Sequence, residues 1–206
     1  MKDLEKYEVI LWDFDGVILD SMPTRELGFR KVLEEYPKEQ VEELIQFHYK
    51  NGGWSRYVKF RYFFEEILGK EVTTDFISEL CSKFSRIMLD LLSSKELLIL
   101  DSLGYIQGNF SNQEMHIVSG SDQKELRLLC QQLDIHTYFS SINGSPTPKI
   151  ELVKNLLQII PFSRSEIVLI GDSRNDLEAA EINGIDFFGY NNWDLQKDNG
   201  YILSFS

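Results

Sequence analysis

The sequence predicts an α/β fold, a parallel sheet covered by helices, with a block of helices inserted after the first strand. Three observations predict it. A short apolar run near the start stops at Asp13-Phe14-Asp15-Gly16. From Ser21 to about Leu92 the apolar residues recur only at helical spacing. Beyond about residue 94, short apolar runs alternate with amphipathic stretches, the pattern of crossovers in a parallel sheet.

Each element follows from its residues. Tyr7-Glu8-Val9-Ile10-Leu11-Trp12 is mostly apolar without alternation and reads as a strand buried on both faces. Pro23 suits a first helical position after Ser21. Phe29, Val32, Leu33 and Tyr36 share one helical face, as do Tyr57, Phe60, Phe64 and Ile67, and then Leu80, Phe84, Ile87 and Leu91. Loops are expected near Pro37, Gly52-Gly53 and Gly69. Met115–Val118 reads as a strand, Gln123 to about Leu133 as a helix, and Tyr138–Ile142 as a short strand. A helix is expected from Lys149 to about Gln158, a strand over Glu166–Ile170, a helix from about Asn175 to Ile182 and a last strand over Ile185–Phe188. The first strand cannot bury itself alone and must join the later sheet. The predicted organisation is a Rossmann-like core of residues 1–16 and 96–206 with an inserted helical cap of 17–95.

Composition narrows the function. In 206 residues, 43% are hydrophobic and 26% charged, a globular balance with enough apolar material for a core. The 33 acidic residues outweigh 21 basic ones, for a net charge of -12. That balance argues against nucleic-acid binding and against anionic membrane surfaces. An anionic small substrate would need local neutralisation by a metal ion or a few placed cations. Cys81 and Cys130 sit in helical stretches beside apolar residues and read as buried side chains. The N-terminal stretch lacks a signal-peptide core and no apolar run approaches the ~18 residues of a transmembrane helix, so the expected compartment is the cytoplasm.

In open parallel sheets ligands bind beyond the carboxyl ends of the strands. Those ends carry Asp13-Phe14-Asp15-Gly16, Ser119-Gly120-Ser121, Asn143 to Lys149, and Gly171-Asp172-Ser173-Arg174-Asn175-Asp176. Asp13 and Asp172 come from different strands and suit a hard cation such as Mg²⁺, with Asp176 one helical turn beyond in support. Asp13 and Asp15 can divide the labour of nucleophile and general acid/base. Ser119 and the Gly120 amide sit at a strand-to-helix junction that can cradle phosphate, and Lys149 offers a point charge. Each feature has a plainer reading as turn punctuation or helix capping. Their occurrence together at four strand ends favours a site.

These residues resemble the motifs of the haloacid dehalogenase superfamily. Leu11–Val17 resembles its first motif, Ile117–Gly120 its second and Ile170–Asp176 its fourth, and the helical insertion resembles the subgroup of phosphoglycolate phosphatase-like enzymes and β-phosphoglucomutase. The resemblance implies that Asp13 attacks phosphorus to form an aspartyl-phosphate. It implies that Asp15 protonates the leaving oxygen and then activates water. It also implies that Mg²⁺ is held by Asp13, the Asp15 carbonyl and Asp172, with Asp176 supporting and Ser119 and Gly120 holding the phosphoryl. The third motif departs from the common glycine, lysine, proline, any residue, proline, aspartate. Here Gly144-Ser145-Pro146-Thr147-Pro148-Lys149 puts Lys149 in the aspartate's place, where it is expected to do the lysine's job.

In the cap, Gly52-Gly53-Trp54-Ser55-Arg56 is expected to be a loop facing the core, with Trp54 and Arg56 as substrate contacts. Lys59 and Arg61 are expected to be solvated, and His48, His116 and His136 to be structural or surface residues, since none has metal-binding spacing. The expected function is a Mg²⁺-dependent phosphatase of a small phosphorylated metabolite, such as a sugar phosphate. The alternatives are a phosphomutase of the same family or, from other classes, a phosphoacceptor signalling module or an idle binding protein. The insertion has no place in a receiver domain, and the full set of carboxylates counts against an idle one.

Overall fold

In a computed structural model of the chain, residues 4–196 and 200–205 are described. The expected core also includes residues 1–3, 197–199 and 206, which lie outside the described residues. Strand β1 (Val9–Trp12) is buried at all four positions, which is why its sequence does not alternate. It lies mid-sheet between β2 (Glu114–Asp122) and β4 (Ile167–Gly171), with Trp12 in register with Ile117 and Ile170. With β3 (Ser141–Ser145), β5 (Asp186–Tyr190) and β6 (Gly200–Ile202), the sheet order is β3-β2-β1-β4-β5-β6, every pairing parallel. This order brings the residues after β1, β2 and β4 to one edge of the sheet, as the α/β prediction requires.

Between β1 and β2 the chain forms α1 (Met22–Val32), α2 (Lys38–Lys50), α3 (Arg56–Tyr62) with a π turn over Phe63–Ile67, α4 (Thr74–Leu91) and α5 (Leu100–Asn109). Phe29 of α1 is the hub of the inserted helices, with ring centroids 5.2 Å from Phe60, 4.6 Å from Phe84 and 5.1 Å from His48. That apolar cluster continues through Val17, Ile18 and Leu19 to Ile10 and Trp12 on one face of the sheet. Val9 and Leu11 point to the other face and join a second cluster. There they meet Leu152 and Val153 of α7 (Lys149–Leu156) and Ala179 and Ala180 of α8 (Arg174–Asn183). The two segments that join the inserted helices to the sheet pair with each other. Leu19 bridges Leu98, and Ile99 N donates to Ile18 O at 2.9 Å.

Three elements differ from the sequence expectation. Helix α5 carries Gly104 and Gly108, which break its apolar pattern. The third strand lies at Ser141–Ser145 rather than Tyr138–Ile142, and His136–Tyr138 form a 3₁₀ turn instead. It is an edge strand of small polar residues, with Asn143 Nδ2 donating to Ile117 O at 3.2 Å, so it lacks an apolar signature. Beyond the expected last strand, the three-residue β6 adds a further edge. Helix α6 (Gln123–Gln132) follows β2 as expected. Cys81 and Cys130 are buried and unpaired. Among the described residues no helix is long and apolar enough to cross a membrane.

Candidate active site

The chain turns sharply after β1. Gly16 has φ +78°, and a Cβ there would lie 2.0 Å from Asp172 Oδ2, so only glycine lets this turn press against the residue after β4. Asp13 accepts from Phe14 N at 2.8 Å and pairs with Lys149 Nζ at 2.9 Å. Lys149, in the first turn of α7, is wholly enclosed and also donates to Asp176 Oδ1. The other Asp176 oxygen caps α8, accepting from Ser173 N at 3.0 Å and Ser173 Oγ at 2.6 Å. The capping box and the charge site thus share one carboxylate.

Asp13, Asp172 and Asp176 each offer an oxygen within 4.8 Å of the others. Three carboxylates face one ammonium. Burial, with the Asp176 carboxylate, pushes Asp13 up to about 7 despite Lys149. Burial, with Asp13 and Asp176, raises Asp172 well above the usual carboxylate range. Lys149 is held charged by Asp13 and Asp176 although burial opposes it. This excess of hard oxygen donors and negative charge fits a divalent cation.

Asp15 lies apart from that cluster. Its Oδ1 accepts from Ser21 Oγ and from Arg25 Nε at 2.8 Å, and its Oδ2 accepts from Ser121 Oγ at 2.5 Å. Burial would raise its pKa, but the Arg25 charge and the bonds from Ser121 and Ser21 outweigh it and hold the carboxyl at about 2. Ser119 Oγ accepts from Ser121 N at 3.1 Å. Gly120 sits directly beneath the loop after α2: a Cβ there would lie 2.2 Å from Gly53 O. That same carbonyl accepts from Asn175 Nδ2 at 2.9 Å, so the Gly52-Gly53 loop touches both β2 and the first turn of α8.

A small cavity of about 30 Å³ lies between this loop and the sheet, lined by Asp13, Asp15, Ser119, Gly120 and Asp172 from below and by Trp54 and Arg56 from above. Asp176 and Lys149 close the floor behind Asp13. Trp54 is 41% exposed and meets Phe47 edge-on. Arg56 is buried in the first turn of α3, donating to Glu125 Oε2 at 2.5 Å and Ser85 Oγ at 2.8 Å. The expectation that Lys59 is solvated is corrected: it is buried on the cavity wall, with Nζ 2.9 Å from His48 Nδ1 and donating to Gly52 O at 3.0 Å. Burial, with the Arg25 and Arg56 charges, lowers Lys59 to about 7 despite Asp15. Burial, with Lys59, lowers His48 to about 2. Arg61 does lie at the surface, paired with Glu65 at 2.6 Å. His116 is buried beside Glu114 and Ser141.

Sequence reading missed Ser21, Arg25, His48, Ser121 and Glu125. All belong to the cavity wall or bond to it. Arg25 carries the one available signal, a charge on the face of α1 that also holds Gly28, Phe29 and Val32.

The sequence profile of the haloacid dehalogenase-like hydrolases matches residues 10–190, from β1 through β5. The chain belongs to that family. It is 25% identical over 187 residues to a phosphorylated carbohydrates phosphatase of Thermotoga maritima, covering 87% of this chain and 82% of that protein. It is 22% identical over 198 residues to a phosphoglycolate phosphatase of Colwellia psychrerythraea, covering 91% and 88%. A mutant of CbbY from Rhodobacter sphaeroides, solved in complex with xylulose-(1,5)bisphosphate, shares the fold with a TM-score of 0.75 at 15% identity, covering 97% of this chain and 95% of that one. Within the family, this chain is a hydrolase of the phosphatase type.

Proposed function

We propose that the protein is a Mg²⁺-dependent phosphatase of a small phosphorylated carbohydrate, and that it works through an aspartyl-phosphate on Asp13. The observation that carries this reading is the position of Asp13. Its carboxylate lines the cavity, is anchored by Lys149, and belongs to a cluster of three oxygen donors with uncompensated negative charge. The substrate class follows the Thermotoga relative, named for phosphorylated carbohydrates.

In this reading an Asp13 carboxylate oxygen attacks phosphorus and the ester oxygen leaves. Ser119 Oγ and the Gly120 amide hold the phosphoryl oxygens, and Lys149 balances their charge. Asp15, once freed from Ser21, Arg25 and Ser121, takes up a proton from solvent, gives it to the leaving oxygen and then takes one from the water that attacks the phosphoaspartate. Asp13, the Asp15 backbone carbonyl and Asp172 would hold Mg²⁺, with Asp176 in support. When bound, the ion supplies charge neutralisation for the transferring phosphoryl group.

The cavity has room for a water or two and not for a sugar phosphate. Residues 17–95 therefore act as a cap that moves, hinging on the paired segments around Leu19 and Leu98. Trp54 and Arg56, at the tip of the cap, then contact the leaving portion of the substrate.

Purified protein tested with Mg²⁺ against a panel of phosphorylated sugars should release phosphate from at least one, and excess chelator should stop the release. Full activity in chelator would reject the metal. Transfer to substrate without phosphate release would make the protein a mutase.

A further inference from the structure

We infer that Asn191 and Asn192, in the loop after β5, are positioning residues for the metal: their side-chain amides clasp the loops after β1 and β4 together and thereby set the affinity for Mg²⁺. The inference rests on the Mg²⁺ of the proposed function and adds what holds its ligands in place.

The two loops that would hold the ion press on each other. A Cβ on Gly16, in the turn after Asp15, would stand 2.0 Å from Asp172 Oδ2. Asp13, Asp172 and Asp176 bring oxygens within 4.8 Å of one another, and like charges there oppose the close approach. Two hydrogen bonds answer that repulsion from outside the cluster. Asn191 Nδ2 donates to Gly16 O at 3.0 Å, and Asn192 Nδ2 donates to Asp172 O at 2.7 Å. Gly16 follows Asp15, whose backbone carbonyl is one proposed ligand, and the Asp172 carboxylate is another. Each amide therefore grips the main chain of a ligand-bearing loop without using a ligand oxygen.

The plainer reading is that these asparagines only form the turn after β5. An asparagine that forms a turn bonds its own backbone two residues on, and Asn192 does this with Oδ1, which accepts from Asp194 N at 3.1 Å. Its Nδ2 goes elsewhere, to a carbonyl 20 positions back, and that of Asn191 to one 175 positions back. The sheet order explains the reach. β5 lies beside β4 and β4 beside β1, so Asn192 meets the adjacent loop and Asn191 the one beyond it. Consecutive residues of an extended chain point to opposite sides. Asn191 has φ +55°, a left-handed conformation that asparagine tolerates better than most residues, and this turn lets both amides face the same pair of loops. The loop also has its own footing. Leu195 is buried against Gly189, where a Cβ would stand 2.8 Å from Leu195 Cβ, and the Trp193 ring stacks on Tyr201 of β6 at 5.5 Å. Strand β6, absent from the sequence expectation, thus braces the clasp.

Calorimetric titration of the full chain with Mg²⁺ alone tests this, with thermal unfolding of the same samples before metal is added. Asn192→Ala should bind Mg²⁺ about tenfold or more weakly than the parent, the usual cost of losing a group that orients a metal ligand. Asn191→Ala, whose bond is exposed, should lose affinity by a smaller factor. Both should unfold within about 4 °C of the parent, the shift expected for one lost hydrogen bond. A lower unfolding temperature with the Mg²⁺ affinity of Asn192→Ala within about twofold of the parent would overturn the inference. A second measurement needs no variant. Coupling is reciprocal, so if the clasp raises the affinity for Mg²⁺, Mg²⁺ must hold the clasp shut by the same factor. Asp194 N, bonded to Asn192 Oδ1, exchanges only when that side chain moves. Its hydrogen exchange in the parent, followed by NMR, should slow about tenfold at saturating Mg²⁺. An unchanged rate would overturn the inference whether or not the variants fold. The two readings fail in different ways. A parent that binds no Mg²⁺ rejects the metal and the clasp with it. A parent that binds Mg²⁺, with affinity and exchange indifferent to the asparagines, rejects the clasp alone.

Discussion

The floor and the roof of the cavity have opposite charge problems. On the floor, Asp13, Asp172 and Asp176 converge on one another with Lys149 as the cation bonded to two of them. On the roof, Arg25, Arg56 and Lys59 crowd together, and Glu125 and Asp15 are the carboxylates that answer the two arginines. The floor has donors for a cation to spare; the roof has hydrogen-bond donors without acceptors. A phosphate ester with a bound cation would relieve the floor. The contrast teaches that a protein with a net charge of -12 can sort its charges onto two sides of one cavity.

The largest effect should come from the floor. Asp13→Asn removes the proposed nucleophile and should lower kcat by at least about 10⁴-fold on every phosphomonoester. Asp15→Asn should cost about 10²–10⁴-fold with an alkyl ester. With nitrophenyl phosphate, whose leaving group needs no proton, the burst of nitrophenolate should survive. Steady-state and burst kinetics on both esters check the pair. Near-normal turnover by Asp13→Asn would erase the distinction between floor and roof.

Lys149→Ala tests whether the floor's cation matters to the reaction or only to the fold. Loss of a charge aimed at a transition state costs about 10²–10³-fold in kcat, and kcat/KM should fall to match. If kcat/KM stays within about threefold of the parent, another cation neutralises the phosphoryl, and Arg174 in the fourth motif is the next to change.

The smallest effect concerns the roof and is read on stability. Burial holds the Lys59 ammonium down at about 7 in the folded protein, against 10.5 for an ordinary lysine. Between those values the unfolded chain holds more protons, so this residue's penalty is full below pH 7 and fades as pH rises toward 10.5. Lys59→Met should therefore be more stable than the parent by a few kcal/mol at pH 6, and the gap should narrow by pH 9. Urea unfolding at the two pH values measures it. A gap that does not change with pH would mean that the roof does not hold Lys59 as a strained cation.

The floor was legible in the sequence because strands set it. An uninterrupted apolar run ending in Asp13-Phe14-Asp15-Gly16, and another ending in Gly171-Asp172, place carboxylates at strand ends whatever the helices do. Lys149 was legible as a first-turn residue after a strand, and it is bonded to Asp13 and Asp176. The roof was largely illegible. Arg25, His48, Arg56 and Lys59 sit on three helices and Glu125 on a fourth, separated by up to 100 residues. On a helix a charged residue beside apolar ones usually reaches solvent, the reading given to Lys59. Only the packing around Phe29 turns these faces toward one point. Strand β3 and helix α5 were obscured for a different reason: small polar residues and glycines leave no periodicity to read.

The proposed mechanism places the phosphoryl group on Asp13. Protein mixed with Mg²⁺ and an accepted phosphomonoester, quenched in acid within the first turnover and digested, should yield the peptide containing Asp13 with a phosphoryl adduct. Hydroxylamine should remove that adduct, and Asp13→Asn protein should never form it. A phosphoryl group on any other residue, or full-speed phosphate release with no acyl phosphate at any quench time, would rule out Asp13 as the nucleophile.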